Sequence, residues 1–184
     1  PPPPRKESSA ASDVYKCQVL KKRWVGRGAF GVSKNASRLY ISLSHEESVI
    51  VLDAETLDET TRPQTGYEPR GLALKGNRLY VVHLFDASVR VFDAVTLGVL
   101  GNISIGLQAA LVESVTLDPN KARAYVAHQR QHVTNMARLF DNTVFPIVSV
   151  LDTEQQRPIR REALALDSID TPVSMPAATV VRRR

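Results

Sequence analysis

The chain has 184 residues, 43% hydrophobic and 23% charged, with a net charge of +5. That length can bury a core as one domain, and the composition is that of an ordinary globular protein. No run of about 18 apolar residues occurs, which excludes a membrane-spanning helix. The single cysteine, Cys17, excludes an internal disulfide, a Cys-x-x-Cys-His haem site and a thiolate zinc site.

The basic excess sits in Arg5 and Lys6, in Lys21, Lys22 and Arg23, and in Arg182, Arg183 and Arg184. It lacks the interleaved aromatic residues of a nucleic-acid-binding stripe, so solvated termini and turns account for it. Residues 1–12 are Pro-rich, then Ser/Ala-rich, and read as a flexible leader. No signal peptide is read there, because Pro1 to Lys6 has no apolar stretch behind it. From Val14 the pattern turns β. Residues 14–19 alternate with period 2, and Trp24-Val25-Gly26 closes a second short strand, together predicting the outer half of a four-stranded unit.

Three fuller units follow, each predicted as four short antiparallel strands, A to D. In the first, A is 29–32, B 37–43, C 48–53 and D 59–64. In the second, A is 71–74, B 78–82, C 88–93 and D 99–105. In the third, A is 114–117, B 122–127, C 147–152 and D lies near 161–166. An inner strand at 177–181 follows, and the domain is bounded at 13–181 with a basic tail at 182–184. The segments are short, rich in Val, Ile, Leu and Tyr, and broken by Lys34-Asn35, Gly76-Asn77 and Asp118-Pro119-Asn120.

The units are copies of one another. Arg38-Leu39-Tyr40-Ile41 returns as Arg78-Leu79-Tyr80-Val81, 40 residues later, and Ala124-Tyr125-Val126 comes after another 45. A recurrence near 40 residues, built from four strands, is the mark of a β-propeller blade. The predicted class is all-β: about three full blades, an outer half-blade and one inner strand. Asp53, Asp93 and Asp152 each close a C strand, where a carboxylate caps the following turn; metal binding is the alternative.

The repeats resemble those of the Tyr-Val-Thr-Asn (YVTN) β-propeller family of bacterial and archaeal surface or periplasmic proteins. Tyr80-Val81-Val82-His83 and Tyr125-Val126-Ala127-His128 sit on the tetrapeptide. Residues 88–93 resemble its following strand, and 66–71 its Gly-x-x-Pro-x-Gly connector. His83 and His128 stand where the motif ends in Asn, and Leu43 stands there in the first unit. A second, looser similarity links residues 141–150 and 171–176 to propellers of larger chains with c-type cytochrome segments, although this chain has no haem motif.

The resemblance implies a periplasmic or extracellular location. Three full units with partial ones at both ends predict a piece of a longer, seven-bladed propeller, or a closure in which the two terminal half-units meet. An open arc of blades implies self-association through uncovered faces.

In a propeller, the D-to-A connectors and B-to-C loops emerge at one end, where ligands bind. That end collects Tyr67 and Arg70 from a connector and all four histidines, His45, His83, His128 and His132. The third unit adds an inserted B-to-C loop at 129–146, with Arg130, Arg138 and Phe140; Phe140 and Phe145 are expected to pin it. The candidate binding residues are therefore Tyr67, Arg70, His83, His128, Arg130, Arg138 and Phe140. Arginine types there favour an unidentified acidic protein or small-molecule partner.

No catalytic motif, catalytic residue, metal site or cofactor is read. Gly26-Arg27-Gly28-Ala29-Phe30-Gly31 lacks the strand-turn-helix context of a phosphate loop. The function expected is a non-catalytic binding or scaffolding module. The alternative is the propeller portion of an enzyme, either a lactonase-like metal-dependent hydrolase or a cytochrome-linked oxidoreductase.

Overall fold

The computed structural model describes residues 19–106, 108–131 and 144–166. Within them the chain is nearly all β, in three antiparallel sheets that follow one another along the sequence. The first holds β1 (Ala29–Lys34), β2 (Arg38–Leu43), β3 (Ser48–Asp53) and β4 (Glu59–Thr61). The second holds β5 (Pro69–Lys75), β6 (Arg78–His83), β7 (Ser88–Asp93) and β8 (Val99–Ser104). The third holds β9 (Ala109–Leu117), β10 (Arg123–Gln131) and β11 (Val144–Asp152). Two short pieces, β12 (Arg157–Pro158) and β13 (Leu164–Ala165), both pair with β11. Every sheet keeps its strands in chain order and is open.

Local chemistry makes the hairpins. Asn35 Oδ1 accepts from the Ser37 and Arg38 amides, and Asp118 Oδ1 accepts from those of Asn120 and Lys121. At the other turn, Asp53 Oδ1 accepts from the Glu55 and Thr56 amides at 2.9 and 2.8 Å. Asp93 does the same for Val95 and Thr96, and Asp152 for Glu154 and Gln155. These backbone bonds are the first cause holding the Asp53 and Asp93 carboxyls below the usual carboxylate range. The aspartates are turn caps, as their sequence context suggested.

Alternation along each strand decides which sheet a side chain meets. Tyr40, Val49 and Val51 of the first sheet pack on Leu72, Leu79, Val81 and Phe92 of the second. Tyr80, Val82, Val89 and Val91 of the second pack on Val112, Val115, Val126 and Leu151 of the third. The three sheets are thus stacked face to face, and Tyr40 and Tyr80 fill equivalent places, 0% and 2% exposed. Tyr125, the third member of the series, is half-buried.

Polar bonds repeat across the two interfaces. Arg38 Nη1 donates to the Ala94 and Val95 carbonyls, and Arg78 Nη1 to that of Thr153 at 3.0 Å. Tyr40 Oη donates to the Ala94 carbonyl at 2.7 Å. Each arginine of the recurring Arg-Leu-Tyr therefore grips the capped turn of the following sheet. Glycine permits the closest approach. A Cβ on Gly31 would stand 2.5 Å from the Arg70 carbonyl oxygen, and one on Gly71 would stand 2.7 Å from that of Glu113. The first strands of successive sheets meet backbone to backbone at these points.

Several expectations change. Residues 19–27 form no strand, and Trp24 is 82% exposed, so the second strand of the outer half-blade is absent. The far face of the first sheet is not bare either: Leu43, Ile50 and Leu52 are buried, with Val25 against them. The inserted loop is shorter than 129–146. Gln129, Arg130 and Gln131 pair with Pro146, Phe145 and Val144, extending the β10–β11 hairpin. The fourth strand of the third unit is split, β12 facing Leu151 and Asp152 and β13 facing Ile147 and Val148. The leader at 1–12, the strand at 14–18, the inner strand at 177–181 and the tail at 182–184 lie outside the described residues.

Candidate functional site

One end of the stack carries the connectors between sheets together with the β2–β3 and β6–β7 loops and the paired ends of β10 and β11. Its connectors are built alike. Gly26, Gly66 and Gly106, 40 residues apart, have φ of 137°, 120° and 138°, a region closed to other residues at little cost. At Gly66 the missing side chain also leaves room for Arg90, whose Nη1 would lie 2.8 Å from an added Cβ. That guanidinium donates to the Thr65 carbonyl at 2.8 Å and stands 3.6 Å from Asp86.

The predicted residues divide into two groups. Around the connector into the second sheet, Tyr67 is 62% exposed and stacks on Phe85, itself 58% exposed, with ring centroids 6.1 Å apart. Arg70 pairs with Glu68 at 3.1 Å and lies over the ring of Phe30, 4.6 Å from its centroid.

His83 departs from its expected place in an open loop. It ends β6 on the same side as Leu79 and Val81, facing the first sheet, and is 1% exposed. Neither ring nitrogen has a hydrogen-bond partner among the described residues, and the Thr65 carbonyl is occupied by Arg90. Burial, and then the Arg90 charge, push the His83 pKa down to about 4, with Asp86 and the Thr65 carbonyl opposing.

The second group lies where the third sheet meets the connector at 105–109. A cleft of about 480 Å³ opens there, lined in part by Ile105, Gln108, His128, Arg130, Ser149 and Arg160. His128 is buried, with Nδ1 3.0 Å from the Gln129 carbonyl and Nε2 2.8 Å from Ser149 Oγ. A carbonyl can only accept, so Nδ1 carries the proton and the Ser149 hydroxyl donates to Nε2. Burial lowers the His128 pKa and keeps the ring neutral, consistent with that arrangement. A serine bonded to an oriented histidine is the geometry of a nucleophile and its base. The equivalent pair in the second sheet is His83 and Arg90, so the arrangement is particular to the third sheet.

Arg130 is exposed, its guanidinium 5.7 Å from the Phe145 ring centroid; Phe145 is half-buried. His45 is exposed on the turn after β2. The structure therefore brings Tyr67 near Arg70 and His128 near Arg130, but puts His83 out of reach of solvent. His132, Arg138 and Phe140 lie outside the described residues. Among the described residues no group of His, Cys, Asp and Glu could hold a metal ion.

Sequence reasoning missed Phe85, Ser149 and Arg160. Phe85 was findable as the only aromatic residue of its loop, and Ser149 from its register opposite the tyrosine strand. Arg160 was not, because the split fourth strand hid which residues turn back towards the connector.

No family model matches the chain, and no curated protein matches it. Among solved structures it is similar to hydrazine synthase of Kuenenia stuttgartiensis, with a TM-score of 0.50 and 20% identity, over 83% of this chain and 53% of that one. The chain spans about half the length of that structure, and the likeness is one of fold alone.

Proposed function

We propose that the three stacked sheets are successive blades of a YVTN-type β-propeller, and that its connector end is the contact surface of a binding or scaffolding module working outside the cytoplasm. The supporting observations for the blades are the face-to-face order, the Arg-Leu-Tyr grip on the next turn and the glycine approach of successive first strands. The observation that carries the binding reading is the Tyr67–Phe85 stack. Two large apolar rings are held exposed on backbone that the Glu68 carbonyl, accepting from the Leu84 amide, ties down. Aromatic and arginine side chains on rigid connectors are the residue types that dominate interface energetics. Arg70, which also pairs with Glu68, and the exposed Arg130 stand at the same end, so an acidic, aromatic-tolerant protein segment is the partner class that fits.

The test is fluorescence anisotropy with labelled Asp/Glu-rich peptides that contain aromatic residues, against length-matched neutral peptides. The acidic set is expected to bind, and to bind at least about tenfold more weakly to Tyr67→Ala/Arg70→Ala, the loss of one aromatic and one charged contact. Equal binding of both peptide sets, or an unaffected double variant with a native circular dichroism spectrum, would contradict the reading.

A further inference from the structure

We infer that the cleft between the second-to-third connector and the end of β10–β11 is a small-molecule site for a carboxylate with an apolar body. It rests on the binding reading only in taking the connector end as the binding end. The cleft has two unlike sides. Ile105, Ile147 and Pro158 give it apolar wall, with Ile147 7% exposed. Arg130, Arg160 and Gln108 give it donors, and none of its described lining residues is acidic.

Among the described residues the charge is uncompensated. Two acids close to Arg160 in sequence are committed elsewhere: Glu162 pairs with Arg123, and Asp152 caps its own turn. Neither Arg130 nor Arg160 has an acidic partner among the described residues. Arg130 is steadied by the Phe145 ring, which leaves the edge of its guanidinium able to donate. Two planar donor forks beside an apolar wall match a carboxylate attached to an aromatic or branched aliphatic group. The volume, about 480 Å³, lies within the range of small-molecule sites. The neutral His128–Ser149 pair completes the lining without adding a charge that would compete.

The first sheet shows why this is a property of one place and not of the repeat. At the equivalent connector, Glu46 occupies the space with its carboxylate, accepting from the Arg27 amide at 2.8 Å and pairing with Arg62. The protein's own acid stands there where the third sheet has none. In the second sheet Arg90 turns inward to the Thr65 carbonyl.

The experiment is a titration of the whole chain with 2-naphthoate, 2-naphthamide and sulfate, read by backbone amide chemical shifts. Naphthoate is expected to shift the Gly106, Gln108 and Arg130 amides. Naphthamide should bind at least about tenfold more weakly, and sulfate should leave these amides unmoved at equal concentration. Arg130→Gln/Arg160→Gln, both at exposed positions, should weaken naphthoate by a similar factor with the remaining spectrum native.

Equal binding of amide and carboxylate on the wild-type chain overturns the proposal without any variant. So does naphthoate binding that leaves the three amides unmoved. Naphthoate binding without acidic-peptide binding supports the cleft and removes the protein-partner reading. Acidic-peptide binding with no naphthoate binding removes the cleft alone.

Discussion

Gly71→Ala tests the stacking of the second sheet on the third with one methyl group. The added Cβ would meet the Glu113 carbonyl oxygen at 2.7 Å and Ser114 Cα at 2.8 Å. Both are backbone atoms and cannot swing aside. Gly71 does not have a positive φ, so the cost is contact and not local strain. To reach ordinary van der Waals distance β5 and β9 must part by roughly 0.5–1 Å, which forfeits a quarter to a half of the attraction at that line.

Overpacking of this kind costs about 1–3 kcal/mol, against which the smaller unfolded-state entropy of alanine returns about 0.4–1 kcal/mol. A net loss of about 1–2 kcal/mol is expected from urea denaturation followed by far-ultraviolet circular dichroism. Gly98→Ala is the control: its Cβ would meet only Thr96 Oγ1 at 3.5 Å, and its stability should stay within about 0.5 kcal/mol of wild type. If the two variants unfold at the same urea concentration, β5 does not lie against β9 as described.

Tyr80→Ala removes a ring 2% exposed at the interface with the third sheet, and should cost about 3–5 kcal/mol; an unchanged melting temperature would refute the packing assignment. Arg78→Ala loses the bond to the Thr153 carbonyl and should cost about 0.5–1.5 kcal/mol by the same assay, whereas no loss would mean the turn is held without it. His83 gives a pH dependence. Its unfolded pKa is near 6.5 and its folded pKa about 4, so between those values the unfolded chain binds more protons and stability falls as pH drops. The penalty is absent above pH 6.5 and approaches about 3 kcal/mol near pH 4. His83→Leu, the residue type that Leu43 already provides at this place, should remove that slope; an identical pH profile in the variant would place the ring in solvent.

The middle strands of each unit were legible because their signals are local and strong. Tyrosine-centred strands and strands ending in a capping aspartate have boundaries that β-propensity and turn chemistry set together, and β3 and β7 fall on the predicted residues. The fourth strands were legible in part: β8 falls within the predicted 99–105 and β4 within the predicted 59–64, whereas the one expected near 161–166 is split into β12 and β13. Glu59 to Thr61 is polar and exposed, and it is strand only because β3 offers it an edge. Gln129-Arg130-Gln131 read as loop for the same reason, since pairing with residues 144–146 is a long-range fact that polar side chains do not announce.

The histidines carry a local signal. His83 lies two residues after Val81 and four after Leu79 on one strand, and period 2 alone puts it on their buried side. The predicted B strand ends at 82, which leaves His83 to the loop. The cleft itself depends on how a split edge strand returns to a connector, which no local pattern encodes.

The central proposal is that the connector end of the stacked sheets is the binding surface. Backbone amide shift mapping with an acidic aromatic peptide and with 2-naphthoate tests it directly. The prediction is perturbation at Tyr67, Phe85 and Arg70 for the peptide and at Gly106, Gln108 and Arg130 for naphthoate. The turns at the opposite end, around Asn35, Asn77, Asp93 and Asn120, should stay fixed. Shifts confined to those turns, in a chain whose spectrum is otherwise native, would contradict it.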